Sequence, residues 1–226
     1  DEPEAKMLIS APYEPLKNIA ARVGMEAGDL RKGLDAADFR FDAVYETHYA
    51  QHTPIEPHVA LAWLDSMNRV VIYTSTQVPF HARRIVAQTL DIPLQRVRVI
   101  KPRIGGGFGA KQEVLIEDIT ALAAIRTGRP VLYEFSRRDE FMISRTRHPQ
   151  RFRMRAGVRK DGAISSLGMD VISNTGAYGS HALTVVCNCG SKVLPLYRAE
   201  TIHFDGTTVY TNLPVAGAYR GYGATQ

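Results

Sequence analysis

The chain has 226 residues, of which 45% are hydrophobic and 23% charged, which is typical of one large or two small globular domains. Its apolar runs fall well short of the ~18 residues that a membrane-spanning helix requires, so we expect no membrane span. The formal net charge of +5 leaves an acidic partner open, including nucleic acid.

The first residues, which begin with Asp1, show no signal peptide, and the sequence stops at Gln226 directly after a glycine-rich turn. We therefore expect an internal fragment of a longer protein. Cys187 and Cys189 are the only cysteines. Their one-residue spacing strains a disulfide, and two thiols are too few for a structural zinc site. The sequence thus predicts two reduced thiols in a cytoplasmic protein.

Hydrophobic periodicity and turn residues predict strands and helices in alternation over the first 150 residues. In chain order we expect a helix at 30–37 capped by Asp29, a strand at 39–49 with one buried face, a hairpin of strands 59–64 and 69–74, a helix at 80–90, a strand at 97–100, a helix at 113–126 and a strand at 131–135. The helix at 113–126 is expected to bury Leu115, Ile119 and Leu122 and to end at Gly128.

From residue 151 the pattern changes to long strands and hairpins. Asp161-Gly162 is a strong hairpin signal, and the last strand is expected at 201–211. The sequence therefore predicts an α+β fold of mixed sheets with packed helices. We expect a first portion at 1–150 and a strand-rich portion at 151–226.

Nine Lys or Arg residues lie between Arg137 and Lys160. Within this region Arg151, Arg153 and Arg155 alternate with smaller or apolar residues, as in a strand with one charged face. No base-reading motif accompanies them. We expect a solvated face, or one that meets an acidic protein surface, and no specific binding of nucleic acid. A basic nucleic-acid-binding module or a non-catalytic scaffold is the alternative.

A glycine loop, Gly105–Gly109, follows a predicted strand and precedes a predicted helix. Backbone N–H groups in such loops can approach a phosphate, and a helix N-terminus favours the anion. A Walker loop would need Gly-Lys-Ser/Thr where this sequence has Ala110-Lys111-Gln112. Gly105, Gly107 and Ala110 do satisfy the Rossmann pattern G-x-G-x-x-A, and Glu134 follows at the end of a strand. A Rossmann-like dinucleotide site and a loop that only turns the chain both stay open at this point.

The segment Ala218–Gln226, which we call the Arg-Gly-Tyr-Gly motif, resembles the A-F-R-G-F-G-x-P-Q signature of the xanthine dehydrogenase/aldehyde oxidase family of molybdenum hydroxylases. In that family the signature is paired with an upstream G-G-G-F-G-x-K loop, here Gly105–Lys111. Further segments resemble the family in the same order: His52–Pro57, Ser75–Gln77, Gly128–Val131, Thr175–Tyr178 and Thr211–Pro214. The resemblance covers nearly the whole chain.

The resemblance implies a molybdenum–molybdopterin cofactor, with the cytosine dinucleotide form as one alternative, and no protein ligand to the metal. Gln77 would donate a hydrogen bond to an oxygen of the molybdenum centre, beside the backbone N–H of Phe108. Gly106, Gly107 and Gly109 would let the loop approach the cofactor. Arg220 would lie near the oxygens and the dithiolene, where its charge complements an anionic centre. We expect these groups to converge on one cleft.

The resemblance also implies a hydroxylase that uses water as its oxygen source. Electrons would leave through iron–sulfur clusters, commonly to FAD, on partner subunits or domains. The family's catalytic glutamate lies beyond the position of Gln226, so we expect this chain alone to be inactive.

Three residues bear on the small-molecule substrate. Tyr222 stands where the family stacks an aromatic ring on the substrate. Gln112 replaces the Glu of xanthine-oxidising members, and Asn188 falls, by a looser count, where those members use Arg. The sequence thus argues against xanthine and leaves an N-heterocycle, an aromatic thioester or an aldehyde.

Two features suggest other chemistry less strongly. His48, His52 and His58 do not have the spacing of an ordinary metal-ligand set on a strand, so we expect no protein-bound metal there. Lys111, at the end of the glycine loop, is expected only to solvate it.

Overall fold

The computed structural model describes residues 18–226, which form two compact units. One comprises 18–50 together with Thr146–Gln226, and the other is Gln51–Arg145. The elements in chain order are β1 (Ile19–Ala27), α1 (Leu30–Asp35), β2 (Phe39–Glu46), β3 (Val59–Leu64), β4 (Val70–Thr74), α2 (Pro79–Thr89), β5 (Val97–Ile100), α3 (Glu117–Thr127), β6 (Val131–Glu134), α4 (Arg137–Ile143), β7 (Gln150–Val158), β8 (Ile164–Gly176), α5 (Ala182–Val193) and β9 (Ala199–Tyr210).

The unit built from the two ends of the described chain contains a five-stranded mixed sheet in the order β1-β9-β8-β7-β2. Strands β8 and β9 are parallel, and the other neighbours are antiparallel. Helix α5 packs over β1, β8 and β9, and its buried residues join those of the sheet in one apolar core. Because β1 and β2 belong to this sheet, the two compact units do not follow the predicted boundary at residue 150.

The unit Gln51–Arg145 contains a four-stranded sheet in the order β5-β4-β3-β6. Strands β4 and β5 are parallel, whereas β3 pairs antiparallel with both β4 and β6. Helix α3 packs on β3, β4 and β6, and α2 packs on β5 and α3. The α+β class and the mixed sheets predicted from the sequence are confirmed.

The strand-helix-strand segment around the glycine loop is not a Rossmann unit. A Rossmann unit requires the strand after the helix to lie parallel to the others of its sheet. Here β4 and β3 separate β6 from β5, and β3 runs antiparallel to both β4 and β6. The Rossmann interpretation of Gly105, Gly107 and Ala110 is therefore wrong.

Helix α3 begins later and buries a different face than the sequence predicted. It starts at Glu117, whose buried carboxylate accepts a hydrogen bond from Thr74 Oγ1 at 3.0 Å. The buried side chains include Ala121 and Ala124, whereas Ile119 is 57% exposed and Leu122 is 42% exposed. Small side chains allow the helix to lie close to the sheet, so the larger aliphatic residues point away. The predicted end at Gly128 is confirmed, since Gly128 caps the helix at φ +64°.

Strand β2 forms where predicted, but it has no buried face: Phe39, Phe41 and Tyr45 are all exposed. The reason is its place at the edge of the five-stranded sheet. Helix α5 covers the strands at the other side of that sheet and does not extend over β2.

Two helices were not predicted. Helix α4 begins at a capping box formed by Ser136 and Asp139, a pattern visible in the sequence. Helix α5 has buried residues at helical spacing, including Ala182, Val185, Val186 and Cys189. Its β-branched residues favour a strand locally, and packing on the sheet overrides that preference.

The alternating arginines lie on β7 and are paired within their own unit. Arg151 pairs with Glu46 at 3.4 Å, Arg153 with Asp42 at 2.7 Å, and Arg155 with Asp170. The carboxylates on β2 and β8 thus neutralise much of this basic face. Among the described residues, none of the helices has the length and apolar character needed to cross a membrane.

Both cysteines are free, as predicted, and α5 places them in different environments. Burial raises the pKa of the Cys189 thiol to about 12, so the reactive thiolate forms only as the pH approaches that value. We expect iodoacetamide at about pH 8 to alkylate half-buried Cys187 and to spare Cys189 until urea unfolds the protein. Fragmentation mass spectrometry of the peptide that carries both residues measures this. Equal labelling in the native protein would contradict it.

Candidate functional site

The glycine loop has an unusual backbone conformation. Gly106 and Gly109 have φ angles of +98° and +107°, and Phe108 between them has φ +53°. A non-glycine residue at positive φ costs on the order of 1 kcal/mol and persists only where its surroundings fix it. The contacts that hold this loop therefore determine the shape it presents.

Gln77, which follows β4, anchors the glycine loop. Its Oε1 accepts hydrogen bonds from the N–H of Gly109 at 3.0 Å and of Lys111 at 3.3 Å. Its own N–H donates to the Lys111 carbonyl at 2.8 Å. Gly107 must be glycine at this contact, because a Cβ there would lie 2.5 Å from Gln77 Oε1.

This anchoring fixes which way the Gln77 carboxamide points. With Oε1 occupied by two N–H donors, the amino group Nε2 is turned away from the loop backbone. Neither Nε2 nor the N–H of Phe108 has a hydrogen-bond acceptor within residues 18–226. The N–H groups of Gly106 and Gly107 likewise have no acceptor among these residues, so Gln77 and the loop together leave several donors available to a ligand.

Lys111 was expected only to solvate the loop, and this prediction is wrong. It is only 1% exposed, and its Nζ donates to Glu56 Oε2 at 2.6 Å and to the Glu56 carbonyl at 2.8 Å. Glu56 Oε2 also accepts from the N–H of Gly105 at 2.9 Å. This buried ion pair ties the segment 52–58 to both ends of the glycine loop.

A second buried pair lies beneath the loop. His58 Nδ1 lies 2.8 Å from Glu140 Oε1, and His58 Nε2 lies 3.2 Å from the carbonyl oxygen of Ala110. Burial raises the pKa of Glu140, but the hydrogen bonds and charge of His58 outweigh it and hold the pKa below the usual 4.5. The carboxylate is thus ionised at neutral pH and supports the loop there. This contribution to stability is lost as the pH falls through the lowered pKa.

The histidines do not form a metal site within the described part of the chain. His48 is exposed, while His52 and His58 are buried. Across residues 18–226, no group of three His, Cys, Asp or Glu side chains is arranged to hold a metal ion.

The Arg-Gly-Tyr-Gly motif forms a second strained turn, in the other compact unit. Gly221, Tyr222 and Gly223 have φ angles of +97°, +45° and +92°. Gly223 lies against α5, where a Cβ would be 2.3 Å from the carbonyl oxygen of Val185. Glycine is therefore required for the motif to dock on the helix.

The side chains around this turn differ in exposure. Arg220 is exposed, and its guanidinium pairs with no carboxylate among residues 18–226. Tyr222 is half-buried, with its ring 5.6 Å from that of His181 in an edge-on arrangement. Asn188 is half-buried on α5, one residue before Cys189, whose backbone Gly223 approaches.

The predicted site residues thus fall into two sets. Gln77, the backbone of Gly106–Gly109 and half-buried Gln112 surround one loop in one unit. Arg220, Tyr222 and Asn188 belong to the other unit. Their convergence on one cleft stays a prediction. Sequence reasoning did not assign a supporting role to Glu56, His58 or Glu140, which hold the glycine loop.

The comparisons with known proteins identify the family. A family model described as "molybdopterin cofactor-binding domain" matches residues 13–226, so the chain belongs to that family. It is 44% identical to a probable hypoxanthine oxidase of Escherichia coli O157:H7, over 96% of this chain and 23% of the relative. It is 42% identical to the xanthine dehydrogenase molybdenum-binding subunit of the same organism, over 96% of this chain and 29% of the relative. The chain thus spans about a quarter of the length of these relatives.

Solved structures share the fold. The aldehyde oxidoreductase of Desulfovibrio gigas superimposes with a TM-score of 0.86 at 24% identity, over 94% of this chain and 23% of that one. Quinoline 2-oxidoreductase of Pseudomonas putida 86 superimposes with a TM-score of 0.84 at 25% identity, over 92% of this chain and 27% of that one. The chain is a molybdopterin-binding domain of the molybdenum hydroxylase type, and a nucleic-acid-binding or scaffold module is not favoured.

The residues present fit such a cofactor. Molybdopterin carries oxygen and phosphate acceptors and a net negative charge, which require hydrogen-bond donors and cations. The Nε2 group of Gln77 and the N–H of Phe108 supply donors, and Arg220 supplies a cation, none of which has a partner among residues 18–226.

The Lys111–Glu56 pair gives a test of how the loop is held. Glu56→Ala leaves the fully buried Lys111 ammonium without its carboxylate, and should destabilise the protein by about 3–5 kcal/mol. Lys111→Met should cost less, about 1–2 kcal/mol, because the Glu56 carboxylate is partly exposed and keeps the Gly105 N–H. Urea unfolding measures both variants. Lys32→Met, which removes an exposed pair with Asp29, is the matched control and should unfold like the parent. The reverse order of the two losses would contradict this account.

Proposed function

We propose that the chain is the cofactor-binding domain of a larger molybdenum hydroxylase subunit, which oxidises an N-heterocycle with water as the oxygen source. The observation that carries the proposal is the pair of donors Gln77 Nε2 and the Phe108 N–H, which have no acceptor among residues 18–226 and lie on a loop that Gln77 Oε1 holds through Gly109 and Lys111. An aldehyde or an aromatic thioester is the second candidate, supported by the fold shared with an aldehyde oxidoreductase.

In this proposal the bound cofactor supplies the two-electron oxidation and the activated water-derived oxygen. The residues of the chain supply position and electrostatics. Gln77 would donate from Nε2 to an oxygen of the molybdenum centre, and Phe108 would donate from its backbone N–H. Arg220 offsets the negative charge of the centre, and Tyr222 orients the substrate ring. The rigid anchoring of Gln77 Oε1 means that its donor needs no reorganisation during the reaction.

Several finer features belong to the same proposal. The cofactor is expected in a pterin dinucleotide form, such as that with cytosine. Electrons are expected to pass to an iron–sulfur subunit and then to FAD on a further subunit or domain, which the name "molybdenum-binding subunit" of a relative supports. The two free thiols support a cytoplasmic location.

An N-heterocycle is favoured by the names of the relatives. They include a hypoxanthine oxidase and a nicotinate dehydrogenase large molybdopterin subunit of Eubacterium barkeri, which is 32% identical over 89% of this chain and 48% of the relative. Gln112 offers a neutral amide that can both donate and accept hydrogen bonds, where a Glu would offer only acceptors. We therefore propose a substrate, such as hypoxanthine, that does not need a charged side chain at position 112, as xanthine does.

Gln77→Ala and Arg220→Ala test the assignment of the two residues. Each should lower kcat by roughly 10²-fold in the full-length subunit with its electron-transfer partners, the scale of losing one preorganised donor or charge. Turnover is measured per molybdenum on a panel of N-heterocycles and aldehydes. Gln95→Ala and Arg129→Ala, at exposed positions, are the matched controls and should keep full turnover. Full activity of both test variants would show that Gln77 and Arg220 do not have the proposed roles, whatever the fold.

Gln112→Glu tests the substrate proposal. A carboxylate at this position should raise kcat/KM for xanthine relative to hypoxanthine by about 10-fold, and Asn188→Arg added to it should raise the ratio further. Gln112→Asn keeps the amide and serves as the control, with an unchanged ratio. A ratio that does not respond to either substitution would show that these residues do not contact the substrate.

A further inference from the structure

Arg147 follows α4 and precedes β7 in the chain, and it contacts the Arg-Gly-Tyr-Gly motif at three points. Its guanidinium carbon lies 3.7 Å from the centroid of the Tyr219 ring. Its Nη1 donates to Thr225 Oγ1 at 3.0 Å, and its Nη2 donates to the backbone carbonyl of Arg220 at 3.0 Å. The backbone of Arg147 is itself fixed, because its N–H donates to the Ala50 carbonyl at 2.9 Å. One guanidinium therefore joins both ends of the strained turn to a fixed point of the same unit.

The turn requires such support. The backbone bonds within the turn are short-range: the Tyr222 N–H donates to the Tyr219 carbonyl at 2.8 Å, and the Ala224 N–H donates to the Gly221 carbonyl at 2.9 Å. Three successive positive φ angles persist only where neighbouring groups determine them. The bond from Arg147 to the Arg220 carbonyl fixes the peptide plane that follows Arg220. That plane sets the direction in which the Arg220 side chain leaves the backbone.

We propose that Arg147 is a positioning residue that acts on the reaction through Arg220. The inference rests on the proposed function of Arg220 at the molybdenum centre. Arginine suits this position because a planar guanidinium can stack on an aromatic ring while its N–H groups donate in the ring-parallel plane. Lysine keeps the charge but cannot stack and donate to two separate oxygens at once.

The test is a double-mutant cycle in the holoenzyme. Arg147→Gln should lower kcat per molybdenum by about 10²-fold with KM changed by less than about 3-fold, since a misplaced group costs rate more than binding. Arg147→Lys should not restore kcat. Backbone amides of 219–225 should exchange with deuterium faster in both variants. In the Arg220→Ala background, Arg147→Gln should cause no further loss, because the two residues act as one unit.

Arg153→Gln is the matched control, since Arg153 forms an exposed pair with Asp42 on the same sheet. It should change neither kcat nor the exchange of 219–225. Where Arg147→Gln fails to fold, Thr225→Val removes one acceptor with little change in shape. It should lower kcat several-fold, and only when Arg220 is present.

Each other outcome overturns the inference. An additive loss in the Arg220→Ala background would show a general structural role, and unchanged turnover or exchange in Arg147→Gln would show no role. If Arg220→Ala itself keeps full turnover, the proposed function of Arg220 fails together with the inference. If Arg220→Ala is impaired and Arg147→Gln is not, only the positioning role fails.

Discussion

The carboxamide oxygen of Gln77 accepts hydrogen bonds from two backbone N–H groups of the glycine loop, and the donor properties of that loop depend on this contact. With Oε1 occupied, Nε2 must point away, next to a Phe108 held at positive φ. A glycine at 107 is required because the Gln77 side chain occupies the space of a Cβ. The shape of the loop and the direction of the Nε2 donor thus follow from one interaction.

Each compact unit stabilises its strained turn with a charged side chain from a distant part of the sequence. In one unit the Lys111 ammonium and the Glu56 carboxylate join the glycine loop to the 52–58 segment. In the other, the Arg147 guanidinium joins the two ends of the Arg-Gly-Tyr-Gly motif. Charge-assisted hydrogen bonds are strong and directional, which suits them to fix a backbone that local preferences disfavour. Of these side chains, Arg147 lies outside the segments that resemble the family and still fixes one of them.

The basic character of the chain has a local explanation. The arginines of β7 form ion pairs with carboxylates on the adjacent strands. The positive charge that suggested a nucleic-acid partner is therefore largely neutralised within the sheet. Arg220 is different, because among the described residues it has no carboxylate partner. A positive charge that the fold leaves unpaired is the one best able to serve an anionic ligand.

The sequence by itself predicted the strands other than β1, and the turns at Asp161-Gly162 and Gly128, because these depend on short-range periodicity and backbone preference. The family was recognised by the resemblance of its two motifs. Tertiary structure alone decided which face of α3 is buried, that 182–193 is a helix, and that β1 and β2 join the five-stranded sheet. It also decided the hydrogen-bond partners of two side chains: Glu56 lies 55 residues from Lys111, and Arg220 and Thr225 lie 73 and 78 residues from Arg147. Such pairings depend on long-range packing, which local patterns do not encode.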